Sequence, residues 1–193
     1  MKQNNTKHTA GGRQSFSQLI VSTLSAMAQG LFASLLIGTI LSTIGQQAGI
    51  ESLVDSGRFA MSMAGPAMAI AIAYAMKSSP LVIFSSAAVG AAANSLGGAG
   101  GPLAVYVIAL LSALCGKMVA GKTRIDIIVT PLITIGIGIT LAQLIAPAIG
   151  AAASSVGSII MWATEQQPFV MGIVVSVVMG ICLTLPISSA AIC

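Results

Sequence analysis

The sequence predicts an all-α, polytopic membrane protein, and three observations lead there. Of 193 residues, 56% are apolar and only 6% carry a formal charge, whereas roughly a quarter of the residues in a soluble domain are charged. The mean hydropathy is +0.99. The few charges are bunched, leaving uncharged stretches over 14–50, 59–76, 78–116, 127–164 and 166–193. These stretches are continuously apolar, so they suit helices of roughly 20 residues crossing roughly 30 Å of hydrocarbon. Strands of a membrane barrel would be shorter and would alternate in polarity. A soluble enzyme is excluded by the missing polar surface, and a disordered chain by the high hydropathy.

Residues 1–17 read as a polar, cytoplasmic N-terminal tail carrying Lys2, Lys7 and Arg13. The apolar run that follows is too long for the core of a cleaved signal peptide, so it reads as the first of about six transmembrane helices. We place these at 18–45, 59–77, 80–95, 103–121, 127–149 and 168–187, within one membrane domain over 18–193. The stretch 78–116 has room for two spans, and a hairpin there is what makes the charges sort. With the N-terminus inside, Lys2, Lys7, Arg13, Lys77, Lys117, Lys122 and Arg124 all face the cytoplasm. Arg58 falls outside with Glu51, Asp55 and Glu165, an asymmetry in the sense of the positive-inside rule. Two connections, 46–57 and 150–166, read as surface loops or interfacial helices, with Trp162 as an interface anchor. The chain stops at Cys193 with no polar tail after the last span, and we read it as the N-terminal part of a longer protein.

The inventory of reactive side chains is short. Cys115, Cys182 and Cys193 lie inside apolar runs without metal-ligand spacing and read as small buried residues. The single histidine, His8, lies in the polar tail. With no paired base and nucleophile, acid–base or covalent catalysis has no participants. No catalytic residue, metal, cofactor or nucleic-acid partner is expected.

The most informative segment runs from Ser85 to Pro102, where nearly every side chain is small. Small residues let helix backbones approach closely. Within it, Gly97-Gly98-Ala99-Gly100-Gly101-Pro102 should not stay helical. It reads either as a re-entrant break lining a ligand cavity, with Asn94 and Ser95 beside it, or as an external turn between two spans. A second feature is Gly121 to Pro131. Thr123 and Asp126 have nearly the spacing of a capping box, while Lys122 and Arg124 suit topology and anionic lipid. Pro131 and Pro186 should interrupt backbone bonding. Thr130, and Thr184, Ser188 and Ser189 around Pro186, are hydroxyls that suit cavity lining. Gln143, deep in the fifth span, suits a hydrogen bond between helices or a ligand contact. Gly65-Pro66 and Gly101-Pro102 begin spans of the same direction and hint at an internal repeat.

The motifs Asn94-Ser95-Leu96-Gly97-Gly98-Ala99-Gly100-Gly101-Pro102, Gly116-Lys117, Gly121 to Leu132 and Leu185 to Ala191 resemble a known family. It is the bacterial phosphotransferase-system (PTS) membrane subunit IIC family, in the perfringolysin-regulator-like branch described as toxin regulators. The resemblance covers the whole chain and is most specific over Lys122–Pro131. It implies a multi-pass permease of the bacterial inner membrane, acting as a homodimer, that binds a sugar or similar polar solute and moves it by alternating access. Separate soluble IIA and IIB subunits would carry out the phosphotransfer. The sequence departs from sugar permeases of that system in lacking an intramembrane His or Glu, and it shows no phospho-acceptor domain. A membrane-embedded sensor or regulator without transport of its own is therefore the alternative. The orientation is testable: a cysteine at position 122 in a cysteine-free background should react with a membrane-impermeant maleimide only after permeabilisation. Labelling in intact cells would invert it.

Overall fold

The computed structural model describes residues 16–122, 125–164, 172–173, 176–177 and 180, and all of its regular elements are helical. The chain enters on α1 (Phe16–Leu31), passes one π-helical turn (Phe32–Leu36) and continues as α2 (Ile37–Ala48). At 1.5 Å per residue this rod is about 50 Å long. Gly49 ends α2 in the left-handed conformation (φ +70°), where a Cβ would be strained. The chain then returns on α3 (Glu51–Ser62) and, after a break at Met63, on α4 (Ala64–Ala75). The 46–57 connection is thus helical on both sides of a two-residue turn. Its acidic residues sit on α3, where Arg58 and Asp55 form an exposed ion pair at 3.8 Å.

Pairing runs in two sections. α1 packs on α4, while α2 packs on α3 to form an arm that meets the rest mainly at the π-helical turn. The other section is a bundle of α4, α5 (Pro80–Gly97), α6 (Gly101–Val119) and α7 (Asp126–Thr164), with α5 at its centre. α5 and α6 are antiparallel: Gly116 lies against Val82, and Gly97 against Ala104. One 3-10 turn, Gly98–Gly100, joins them. Three stretches are long and apolar enough to cross a membrane, Gln18–Ala48, Pro80–Val119 (the α5–α6 hairpin) and Asp126–Ser158, with Ala64–Ala75 a shorter apolar helix.

One expectation changes here. The fifth span does not stop at 149: α7 runs unbroken through Pro131, Pro147 and Gly150 to Thr164. An isolated proline removes one intrahelical bond without ending a helix that its neighbours support. The sixth span, 168–187, lies outside the described residues apart from a few helical positions.

The bundle is held by small side chains. Its centre is Met68, Ile72, Val89, Ala93, Ile108 and Ala109, each at most 1% exposed. Gly65 and Gly90 face one another so closely that a Cβ on Gly65 would sit 2.5 Å from the Gly90 carbonyl oxygen. Gly38 and Gly57 do the same in the arm, with 2.7 Å from a Cβ on Gly38 to the Gly57 oxygen. Hydroxyls are satisfied locally, as an apolar solvent demands. Ser34 donates to the Gly30 carbonyl (2.8 Å), Ser112 to Ala109 (3.1 Å) and Thr134 to Thr130 (2.8 Å). Thr23 and Tyr106 instead share a bond of 3.2 Å between α1 and α6.

This packing makes a test of glycine position. Gly90→Ala should lower the thermal midpoint in detergent by an amount equivalent to about 1–3 kcal/mol of overpacking. Gly136→Ala, where nothing lies within 4 Å of the new methyl group, should leave the midpoint unchanged or raise it.

Candidate functional site

Asn94, in the last turn of α5, is the polar centre of the glycine-rich segment. Gly65, which opens α4, lies on one side of it: a Cβ there would be 2.6 Å from Asn94 Cβ. Gly101, which opens α6, lies on the other, with 2.6 Å from its added Cβ to Asn94 Oδ1. Each glycine is followed by a proline in the first turn of its helix, where a missing N–H costs nothing. The two Gly-Pro pairs that looked like a repeat therefore converge on one amide. Asn94 is half-buried, and no hydrogen bond among the described residues occupies its side chain. The first turns of α4 and α6 direct the positive ends of two helix dipoles to this level.

The neighbouring backbone is irregular for a clear reason. Gly98 has φ +49° and ψ −121°, a conformation open to glycine and little else, and no atom lies within 4 Å of where its Cβ would be. Gly97, Gly100 and Gly101 are buried. A Cβ on Gly100 would come within 2.9 Å of the Ile149 carbonyl oxygen, and one on Gly150 within 2.6 Å of the Gly97 oxygen. The turn is thus pressed onto the middle of α7. Ser95 is exposed and donates to the Ala92 carbonyl (3.0 Å). Pro102 begins α6.

The structure does not bring Thr130 to this turn. From Thr130 to Ile149 is roughly 28 Å along α7, and Thr130 lies at the opposite end of the bundle. There it is fully buried and donates to Asp126 Oδ1. The same oxygen accepts the Gly121 N–H at 3.0 Å. The capping box expected with Thr123 falls partly outside the described residues, and Asp126 is the shared acceptor of Gly121 and Thr130. It clamps the α6–α7 connection, which Gly121 turns with φ +77°. Thr123 and Arg124 lie outside the described residues, as do Thr184, Pro186, Ser188, Ser189, Cys182, Cys193 and His8. Lys122 is exposed. Cys115 is a free, half-buried thiol. Gln143 faces outward from the described bundle and makes no side-chain hydrogen bond within it. Among the described residues no group of three or more His, Cys, Asp or Glu could hold a metal ion.

A model of the family described as "Phosphotransferase system, EIIC" matches residues 21–193. The chain belongs to the phosphotransferase-system EIIC family. No curated protein and no solved structure matches it significantly. Membership places this EIIC chain in the membrane permease component of a sugar-transport system, and it implies a sugar substrate and association with other components of that system.

Two features of this EIIC protein escaped the reading of residues. Lys117 Nζ donates to the Met76 carbonyl oxygen at 2.8 Å, so an ammonium group caps the C-terminus of α4. Lys77 adopts φ +53°, rare for a residue with a Cβ. The signal for the second was present in Lys77-Ser78-Ser79-Pro80, a basic helix end followed by a serine N-cap and a proline at the next helix start, whereas nothing local marked the reach of Lys117 to Met76. For the clamp, Asp126→Ala should speed tryptic cleavage after Lys122 severalfold in the detergent-solubilised protein, because the Gly121 N–H and the Thr130 hydroxyl lose their shared acceptor. Unchanged cleavage would remove the clamp from the account.

Proposed function

We propose that this chain binds and translocates a sugar or similar neutral, hydroxylated solute, and that Asn94 with the glycine turn forms the polar floor of its site. The observation that carries the reading is the unpartnered Asn94 amide held between Gly65 and Gly101 at two helix starts. An amide offers two donors and one acceptor in a fixed plane, and a sugar hydroxyl is both donor and acceptor. The turn at Gly98–Gly100 supplies further carbonyl and N–H groups, the means by which broken helices hold uncharged substrates in transporters. Ser95, Thr184, Ser188 and Ser189 remain candidate lining groups in this reading, and Thr130 stands with Lys122, Thr123, Arg124, Asp126, Pro131 and Pro186 as a residue of structure and topology. The proposed setting is six spans in a bacterial inner membrane, N-terminus cytoplasmic, as a homodimer working with soluble IIA and IIB subunits.

The test is uptake of radiolabelled sugars by cells or proteoliposomes carrying the variants. Gly98→Ala with Gly101→Ala should abolish uptake while the protein still inserts, and Asn94→Ala should raise KM about tenfold, the effect of removing one or two hydrogen bonds to a bound solute. Undiminished uptake in the double glycine variant would overturn the assignment.

A regulator of the perfringolysin-regulator-like kind is the second reading, favoured by two lysines at one end of the bundle, Lys122, which is exposed, and Lys117, whose ammonium group rests on the Met76 carbonyl. Lys122→Glu with Arg124→Glu should then alter a signalling output and leave solute binding intact.

A further inference from the structure

Buried hydroxyls in this bundle bond within their own helices or to a neighbouring side chain, and two do not. The Oγ atoms of Ser78 and Ser79 each have less than 1 Å² of accessible surface and no hydrogen-bond partner. A buried hydroxyl left in that state costs roughly 1–3 kcal/mol, so a pair of them side by side marks a place where an acceptor belongs.

The surroundings say what kind of acceptor. Both serines lie in the link between α4 and α5. α4 ends there in a double turn, with the Lys77 N–H on the Tyr74 oxygen (2.8 Å) and the Ser78 N–H on the Ala73 oxygen (3.2 Å). That geometry forces Lys77 into the left-handed region and leaves its side chain exposed. Ser79 then stands at the N-cap of α5 with extended backbone, yet its hydroxyl caps nothing. Pro80 has no N–H, and the N–H groups of Leu81 and Val82, in the first turn of α5, have no intrahelical acceptor. The ammonium group of Lys117 reaches the same link at the Met76 oxygen. Over it opens a cleft of about 430 Å³ lined by Tyr74, Ala75, Lys77, Ser78 and Ile83.

The free side-chain groups gathered there are two hydroxyls and ammonium groups, while the carbonyl oxygens of Ala73, Tyr74 and Met76 are already engaged. Among the described residues the one ion pair, Arg58–Asp55, is on the arm. Asp126, the acid that opens α7, is already held by Gly121 and Thr130. We propose that the α4–α5 link is a phosphate-group site occupied by the headgroup of an anionic membrane lipid. The lipid source is favoured by the walls of the cleft. Ile83 and Ala75 are apolar, and Tyr74 and Phe84 beside them are 73% and 72% exposed, giving an acyl chain an aromatic-flanked surface to follow at the membrane boundary. This site is distinct from the Asn94 region and stands independently of the solute reading.

The test uses the full chain in detergent with three probes: dioleoylphosphatidylglycerol, the zwitterionic dioleoylphosphatidylcholine, and inorganic phosphate. Retention is read by native mass spectrometry and stability by thermal unfolding. Phosphatidylglycerol should be retained and should raise the midpoint, and phosphatidylcholine should do neither. Ser79→Ala should raise the midpoint of the lipid-free protein, since it removes an unsatisfied hydroxyl, yet weaken phosphatidylglycerol binding about fivefold. Lys77→Gly relieves the positive φ, so it should fold at least as well as the parent while losing about fivefold in the same affinity. A shift with inorganic phosphate and none with phosphatidylglycerol would overturn the lipid source. Equal retention of phosphatidylglycerol by the parent and both variants, or no response to any probe, would overturn the site.

Discussion

Backbone-to-backbone contact through glycine is the constraint on which this molecule depends. In a bilayer, apolar surface gains little by leaving lipid for another helix, so association rests on close van der Waals packing and on satisfied polar groups. The Gly65–Gly90 and Gly38–Gly57 pairs bring carbonyl oxygens to positions that a single added methyl group would occupy. They set how near α4 comes to α5 and α2 to α3. Gly100 and Gly150 do the same where the hairpin turn rests on α7. The buried alanines of the core follow from that spacing, while Met68, Ile72, Val89 and Ile108 fill the space that remains between the helices.

The candidate site is a by-product of the same closeness. Asn94 is caught between two helix starts because glycine opens both of them, and proline follows each glycine where it best tolerates the loss of an N–H. An amide in such a position is costly to leave dry and unpaired, which is why it draws a functional reading and the back-bonded serines do not. At the far end of the bundle the chemistry is different. Ammonium groups and a buried serine pair gather around the ends of α4 and α5, some 25 Å from the amide by the length of α5.

Much of the architecture was legible in residue order. Five Gly or Pro residues within 97–102 marked the hairpin, and the spacing of charges marked where apolar helices begin and end. Residue order was less able to place groups along a helix relative to other helices. Thr130 and the glycine turn look like partners when both are read as breaks, yet α7 runs straight between their levels. Asp126 has the spacing of a capping residue, but that spacing did not show that its carboxylate holds the Gly121 N–H and the Thr130 hydroxyl. Pro147 lies inside α7, which continues to Thr164 although the fifth span was expected to close at 149. The contacts that decide these cases are between small residues, and alanine and glycine are too common here for any one of them to stand out in a single sequence.

The π-helical turn at Phe32–Leu36 adds one further consequence. A π turn holds one residue more than the α-helical register would, and one residue corresponds to about 100° of rotation about the axis. It lies level with the Met63 interruption on the returning strand of the hairpin, since Gly30 meets Ala67 below and Gly38 meets Gly57 above. The bearing of the α2–α3 arm, and hence which way Ile40 and Ile44 face, is therefore set by a single inserted amino acid. Squeezing it out would swing that pair about its long axis while leaving every contact inside the pair untouched.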